Sequence, residues 1–360
     1  MSAAFRRPRR QGGTTVLLVV LAALVASLGL VPAQAAERPV WHTRVFAKVQ
    51  KPGSPAYVHV HPNGRVYTST YTNPMGDTMR SRVFEYTASG TLLRSWTVPG
   101  QDLTKPRGVQ VATSDARGRL VLLEKSRARV LTLDVRTGRF VVQATIPDLA
   151  GAGHPIPNYA AWGPGGGLFL TDYGQNVIWR IPAAGGTPRV WLRSPKLAGL
   201  EFGTTGIVYE PARRSFLVSQ QTTTDPLDLL RGHLYRVPVR ADGKPGVLRT
   251  LWTSGPLDLP DGFGIARSGN IYVALLGTNQ LVKLGPDGKV RSKFPKAPLV
   301  GSNGSPIAFD SPSNATFLGT RVLVANQSAI FGDASKHAIL DVEVGERGAP
   351  LFVPSASRLR

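Results

Sequence analysis

The chain has 360 residues, 43 Lys and Arg against 22 Asp and Glu, a formal net charge of +21 and no cysteine. Without cysteine there can be no disulfide, thiolate metal site or cysteine nucleophile, so an exported form would be held together by its core. The basic residues are scattered along the sequence and form no single stripe, which argues against nucleic acid as a partner and for anionic cell-envelope polymers or solubility alone.

The N-terminus opens on Arg6-Arg7-Pro8-Arg9-Arg10, continues through an apolar run from Val16 to Val31 and reaches Ala33-Gln34-Ala35. A charged head, an apolar stretch short for a membrane span and a small-residue site together specify a secretory signal peptide over residues 1–35. Cleavage after Ala35 removes four arginines and lowers the formal charge to +17. No later run is apolar enough to span a bilayer, so the expected product is a secreted protein of residues 36–360.

Beyond residue 50 no long segment keeps a helical apolar period, and short alternating runs bounded by Gly, Pro, Asn and Asp recur instead. The runs repeat roughly every 50 residues. Each unit opens on an inner strand, the six starting at Pro55-Ala56, Pro106-Arg107, Pro157-Asn158, Thr204-Thr205, Pro260-Asp261 and Ser313-Asn314. A second and a third strand follow, then a Gly-containing turn such as Pro286-Asp287-Gly288 and an outer strand. No unit can bury its apolar face alone, so the expected fold is all-β: a single six-bladed β-propeller over residues 36–360, with four antiparallel strands per blade. For the last blade, Trp41–Val49 is the favoured outer strand, tying the two ends of the ring together, with Pro350–Pro354 as the alternative.

Residues at the entries of the inner strands face one mouth of the central channel. The set is Ala56, Arg107, Asn158, Thr205, Asp261 and Asn314. Four carry side-chain oxygens, the donors a hard divalent cation takes, and Asp261 is the sole carboxylate. Asp and Asn are also favoured at such positions because they bond the local backbone. Asp261 can go further, holding a cation or acting as general base. Loops following second strands open on the same face, and the longer ones, at 71–81, 221–231 and 327–336, are expected to form a rim around this mouth.

The strand-entry pattern ending in Pro260-Asp261-Gly262, with the sixfold repeat over roughly residues 40–355, resembles the gluconolactonase, regucalcin and luciferin-regenerating-enzyme-like family of six-bladed propellers. The resemblance implies one divalent cation at the channel mouth (Ca2+, Mg2+, Mn2+ or Zn2+) promoting hydrolysis of a lactone or ester. By position it places the substrate-contacting Asn at Asn158 and the metal-binding base at Asp261. The family's first-blade Glu falls on Ala56, its metal-binding Asn on Thr205 and an arginine near the substrate on Ile156. Asn314 or Glu201 could compensate as ligands, leaving Asp261, Thr205 and Asn314 as the candidate metal set.

His154, in the approach to Asn158, is a candidate substrate contact, and His59 and His61 share one face of an inner strand. Asp172 reads as a turn former, and Gly163–Gly167 as a hairpin turn, since no helix follows it to bind phosphate. Two functions stay open: a secreted metal-assisted lactone or ester hydrolase, and a non-catalytic propeller binding carbohydrate, a cell-envelope polymer or a protein.

Overall fold

The computed structural model describes residues 38–359 together with residues 1, 2 and 4. Apart from those three positions, the expected signal peptide and its cleavage site lie outside the described residues. Among the described residues no helix is long and apolar enough to cross a membrane.

Residues 39–359 form six four-stranded antiparallel sheets in a ring, a six-bladed β-propeller. The inner strands are Ser54–Val60, Val109–Ser114, Pro157–Trp162, Thr204–Glu210, Pro260–Ile265 and Thr316–Leu318, and each contacts the inner strands of the next and the preceding blade. Burial falls from the channel outward. In the second blade Val109–Ser114 and Leu120–Glu124 are buried throughout, whereas the outer strand of the first, Leu92–Thr97, is half-buried or exposed. Both faces of a middle strand are covered by neighbouring blades, which explains its near-continuous apolar run.

Each gap between blades holds one apolar cluster. Trp162 and Trp179 fill the gap between blades two and three, and Phe169 and Phe216 meet at 4.6 Å between blades three and four. Burying such rings contributes about 1.5–3 kcal/mol each, enough in sum to hold the ring without disulfides.

The ring closes through the N-terminus. Thr43–Lys48 pairs antiparallel with Ala338–Glu343 as the outer strand of blade six, with Thr43 opposite Val342 and Lys48 opposite Ala338. That edge being taken, Pro350–Pro354 is not a blade strand. The C-terminal segment instead runs beneath the ring: Ala349 N–H bonds the Ile265 carbonyl (2.8 Å), Phe352 packs on Tyr209 (4.9 Å between centroids), and Ser357 accepts from Ala116 N–H (2.9 Å). It thereby touches blades five, four and two in turn.

Two inner strands start later than their sequence markers suggest. Blade two begins at Val109, three residues after Pro106, and blade six at Thr316. The shift matters for equivalence around the channel. Ser219 donates to the Asp261 carbonyl (2.6 Å) and Thr171 to that of Thr205 (2.6 Å); the corresponding hydroxyl in blade one, Ser69, donates to Val109. Val109 and not Arg107 therefore occupies the position equivalent to Asp261. Arg107 turns outward to anchor the first rim loop, pairing with Asp77 (2.9 Å) and donating to the Met79 and Leu103 carbonyls.

Candidate functional site at the upper channel mouth

Asp261 lies at the entry of the blade-five inner strand, where the register slips between Pro260 and Phe263. The slip presents the carboxylate to the channel while Ser219 pins the backbone behind it. Gly262 is required for close packing: a Cβ there would lie 2.7 Å from the Tyr159 hydroxyl. Asp261 is only 5% exposed, and its Oδ1 has no hydrogen-bond partner among the described residues. Burial pushes its carboxyl up to about 7, against the opposing pull of the Tyr159 hydroxyl and the Lys125 charge.

Lys125 enters from the turn after the second strand of blade two, its N–H held by the Gly108 carbonyl (2.9 Å). Its ammonium sits 3.9 Å from the ring centroid of Tyr71, 5.1 Å from that of Tyr173 and 3.4 Å from the Tyr173 hydroxyl. The aromatic walls desolvate it and push its pKa down to about 7, while Asp261 pulls the other way. Each of Lys125 and Asp261 acts on the other through its charge, and among the described residues neither forms an ion pair.

Tyrosines and amides complete the walls. The Tyr71 hydroxyl reaches the side-chain oxygens of Gln110 and Asn158, the latter at 3.3 Å, and the Tyr159 hydroxyl donates to the Ser313 carbonyl (2.7 Å). Burial raises the phenols of Tyr71 and Tyr159 well above their ordinary value, so both stay protonated hydrogen-bond donors at neutral pH. Above them, the rim loops of blades one and six meet, Asn73 Nδ2 donating to the Gly332 carbonyl (3.1 Å), and expose Met75, Ile330 and Phe331.

Of the residues singled out in the sequence, Asp261 and Asn158 join this cluster. Thr205 is buried beside it, but its hydroxyl is committed to Ser219 Oγ (3.0 Å) and the Pro260 carbonyl (3.3 Å). Asn314 turns into its own blade: its Oδ1 accepts from Ala325 N–H (3.0 Å) and its Nδ2 donates to Thr316 Oγ1 (2.8 Å). His154 stands in solvent beside Asp148 (3.3 Å), its side chain 95% exposed. Glu201 is exposed and reaches the cluster only through its charge on Tyr173.

These donors do not fit a divalent cation. Ala56 offers no ligand, the Thr205 and Asn314 oxygens are engaged elsewhere, and the cation facing Asp261 is Lys125. Among the described residues no group of three or more His, Asp or Glu could hold a metal ion. His59 and His61 lie at the other end of the channel with rings 5.9 Å apart; His61 bonds Asn63 N–H and the Gly118 carbonyl, and burial drives His59 down to about 3, leaving it neutral.

Lys125, Tyr71, Tyr159 and Tyr173 escaped the sequence reading. A usable signal was present, since Tyr71, Lys125 and Tyr173 all stand at or just past the ends of second strands, the connections that open on the same mouth as Asp261.

No protein-family model and no curated protein matches this chain. Solved structures do match in fold. Regucalcin from Agrobacterium tumefaciens, described as a calcium-binding protein, superposes with a TM-score of 0.58 at 16% identity over 86% of this chain and 98% of its own. A gluconolactonase from Xanthomonas campestris gives 0.52 at 17% identity over 85% and 100%. Virginiamycin B lyase from Staphylococcus aureus, in an inactive form with quinupristin, gives 0.55 at 14% identity over 82% of each chain. At such identities the likeness shows the shared six-bladed fold.

Proposed function

We propose that the chain is a lactonase-type hydrolase, opening a small lactone or ester at the upper mouth with Asp261 as general base and Lys125 as the oxyanion-stabilising cation. The observation that carries this reading is the carboxyl and the amine facing each other across the mouth, both titrating near neutrality. Ionised Asp261 takes a proton from a water as its oxygen attacks the substrate carbonyl carbon. Negative charge then develops on the carbonyl oxygen, where the Lys125 ammonium and the Tyr173 hydroxyl donate hydrogen bonds. Collapse breaks the acyl–oxygen bond, and the proton on Asp261 passes to the leaving alkoxide, giving a hydroxy acid or an acid and an alcohol. Asn158 and the Tyr71 hydroxyl bind and orient the substrate's own hydroxyls.

The family's cation-dependent route has no matching ligand set here, so the proposal uses none. A second reading, non-catalytic carbohydrate binding, draws on the Tyr173 and Phe202 rings, an aromatic pair of which Phe202 is exposed. Export through the N-terminal segment and retention by anionic envelope polymers, given the charge of +17 after cleavage, belong to the same proposal.

The test is pH-stat hydrolysis of a panel of aldonolactones and simple esters by the wild type and by Asp261→Asn and Lys125→Met, with and without a chelator. Turnover that survives chelation and is lost in both variants supports the reading. Absence of turnover on every substrate, or variants equal to wild type, overturns it, and saturable sugar binding without turnover would establish the second reading.

A further inference from the structure

A sizeable cavity lies not at the proposed catalytic mouth but at the opposite end of the channel. It encloses about 540 Å3 and its inner wall is apolar, built from Trp162, Ile207, Tyr209, Phe263 and Phe317, with Phe352 of the C-terminal segment as part of the floor. Cavities of about 300–1,000 Å3 are the size that takes up a small organic ligand. Tyr57 forms part of its ceiling, and the Tyr57 ring meets that of Tyr159 edge-on at 5.3 Å, so this layer separates the cavity from the Asp261 site.

The walls are electrically quiet. His59, which borders the cavity, is held neutral by burial, and Glu210 at the edge is paired with both Arg213 (2.8 Å) and Arg236 (3.0 Å). Of the arginines lining the cavity, Arg213 has a carboxylate partner and Arg267 has none among the described residues. A second pocket of about 200 Å3 shares Arg267, Phe317 and Ala349 with the first and adds Arg347. The Arg267 N–H bonds the Arg347 carbonyl (2.9 Å), which brings the two residues side by side. Among the described residues neither guanidinium forms an ion pair. The neighbouring Glu346 carboxylate is committed to Lys283, Asn270 and Tyr272.

We propose that this end of the channel is a binding site for an amphiphilic anion, whose apolar body fills the cavity and whose carboxylate or phosphate head rests on Arg267 and Arg347. Each half of the site selects one half of the ligand. The apolar wall rewards a chain or ring system that leaves water, and the two planar guanidinium groups suit a head with paired oxygens. A neutral alcohol of the same length gains only the first term, and a cationic amphiphile is repelled at the rim.

Isothermal titration of the full chain with laurate, dodecyl phosphate and dodecanol below their aggregation limits tests this. One molecule of laurate or dodecyl phosphate should bind per chain, more tightly than dodecanol, and the tighter of the two identifies the head group. In the double variant Arg267→Gln/Arg347→Gln, both exposed positions, anion binding should weaken about three- to tenfold while dodecanol binding is unchanged. Circular dichroism verifies that the variant is folded. The proposal is overturned if neither anion binds saturably, if several equivalent molecules bind, or if the folded double variant binds laurate as well as wild type does. The readout is independent of Asp261 and Lys125, so a failed hydrolase assay leaves it standing.

Discussion

The tripeptide Pro-Asp-Gly occurs twice, at 260–262 and 286–288, and the two copies behave as different chemistry. The second is a turn: Gly288 takes φ +80°, its N–H bonds the Gly285 carbonyl (2.9 Å), and the exposed Asp287 accepts from Lys289 N–H (3.1 Å) and pairs with Arg291. Those contacts, the Lys289 N–H foremost, hold its carboxyl below the usual range. The first copy is strand, part of Pro260–Ile265, and burial pushes its carboxyl the other way, up to about 7. Local propensity thus constrains the backbone only loosely, and the place in the ring decides whether the aspartate is a turn ligand or a titrating group near neutrality.

The sharpest test of that contrast is kinetic. Asp261→Asn should reduce turnover by about a hundredfold or more, the loss expected when a general base is removed, whereas Asp287→Asn should leave kcat and KM within error. Equal losses in both would mean that Asp261 acts only through folding. The pH profile comes next. Asp261 must be ionised and Lys125 protonated, and both titrate near 7, so the rate should form a narrow bell centred there, described by two values belonging to the pair. Lys125→Arg keeps the positive charge at every accessible pH and should remove the alkaline limb. A bell of unchanged shape in that variant would reassign the limb.

Stability should separate the two aspartates by sign. A carboxyl raised in the folded state supports folding below its unfolded value near 4, and that support is lost as pH climbs through about 7. Asp261→Asn removes this liability. Its thermal midpoint should exceed that of wild type by several degrees at about pH 9, and the gain should shrink towards about pH 5. A gain independent of pH would assign the effect to packing and not to ionisation.

Much of this architecture was legible because a propeller writes its period into the chain. Strand, turn and strand recur roughly every 50 residues, and Asp261 fell at the mouth by simple alignment of the repeats. Alignment erred where a proline marked a loop, as at Pro106, so Arg107 was set among the channel residues in place of Val109. It also left Pro350–Pro354 open, since a short apolar run with prolines suits an outer strand as well as a crossing beneath the ring; only the pairing of Thr43–Lys48 with Ala338–Glu343 decides. Lys125 was missed for a deeper reason. Its partners Tyr71, Tyr173 and Asp261 come from blades one, three and five, and a comparison of repeats aligns equivalent positions without showing which different positions meet across the channel.

The smallest effect expected is at Asp287, and it is informative for being small. Its lowered carboxyl contributes stability above the unfolded value that is lost as pH falls through the folded one, the reverse of Asp261. The group is exposed and its partner Arg291 is half in solvent, so water and salt screen the interaction. Asp287→Asn retains a side-chain oxygen for the Lys289 N–H and loses only the charge. The thermal midpoint at neutral pH should therefore move by no more than about 1–2 °C, and adding salt should erase the difference. A larger drop, or one that salt leaves intact, would show that the peripheral turn is a structural anchor of blade five and that the two copies differ less than their environments imply.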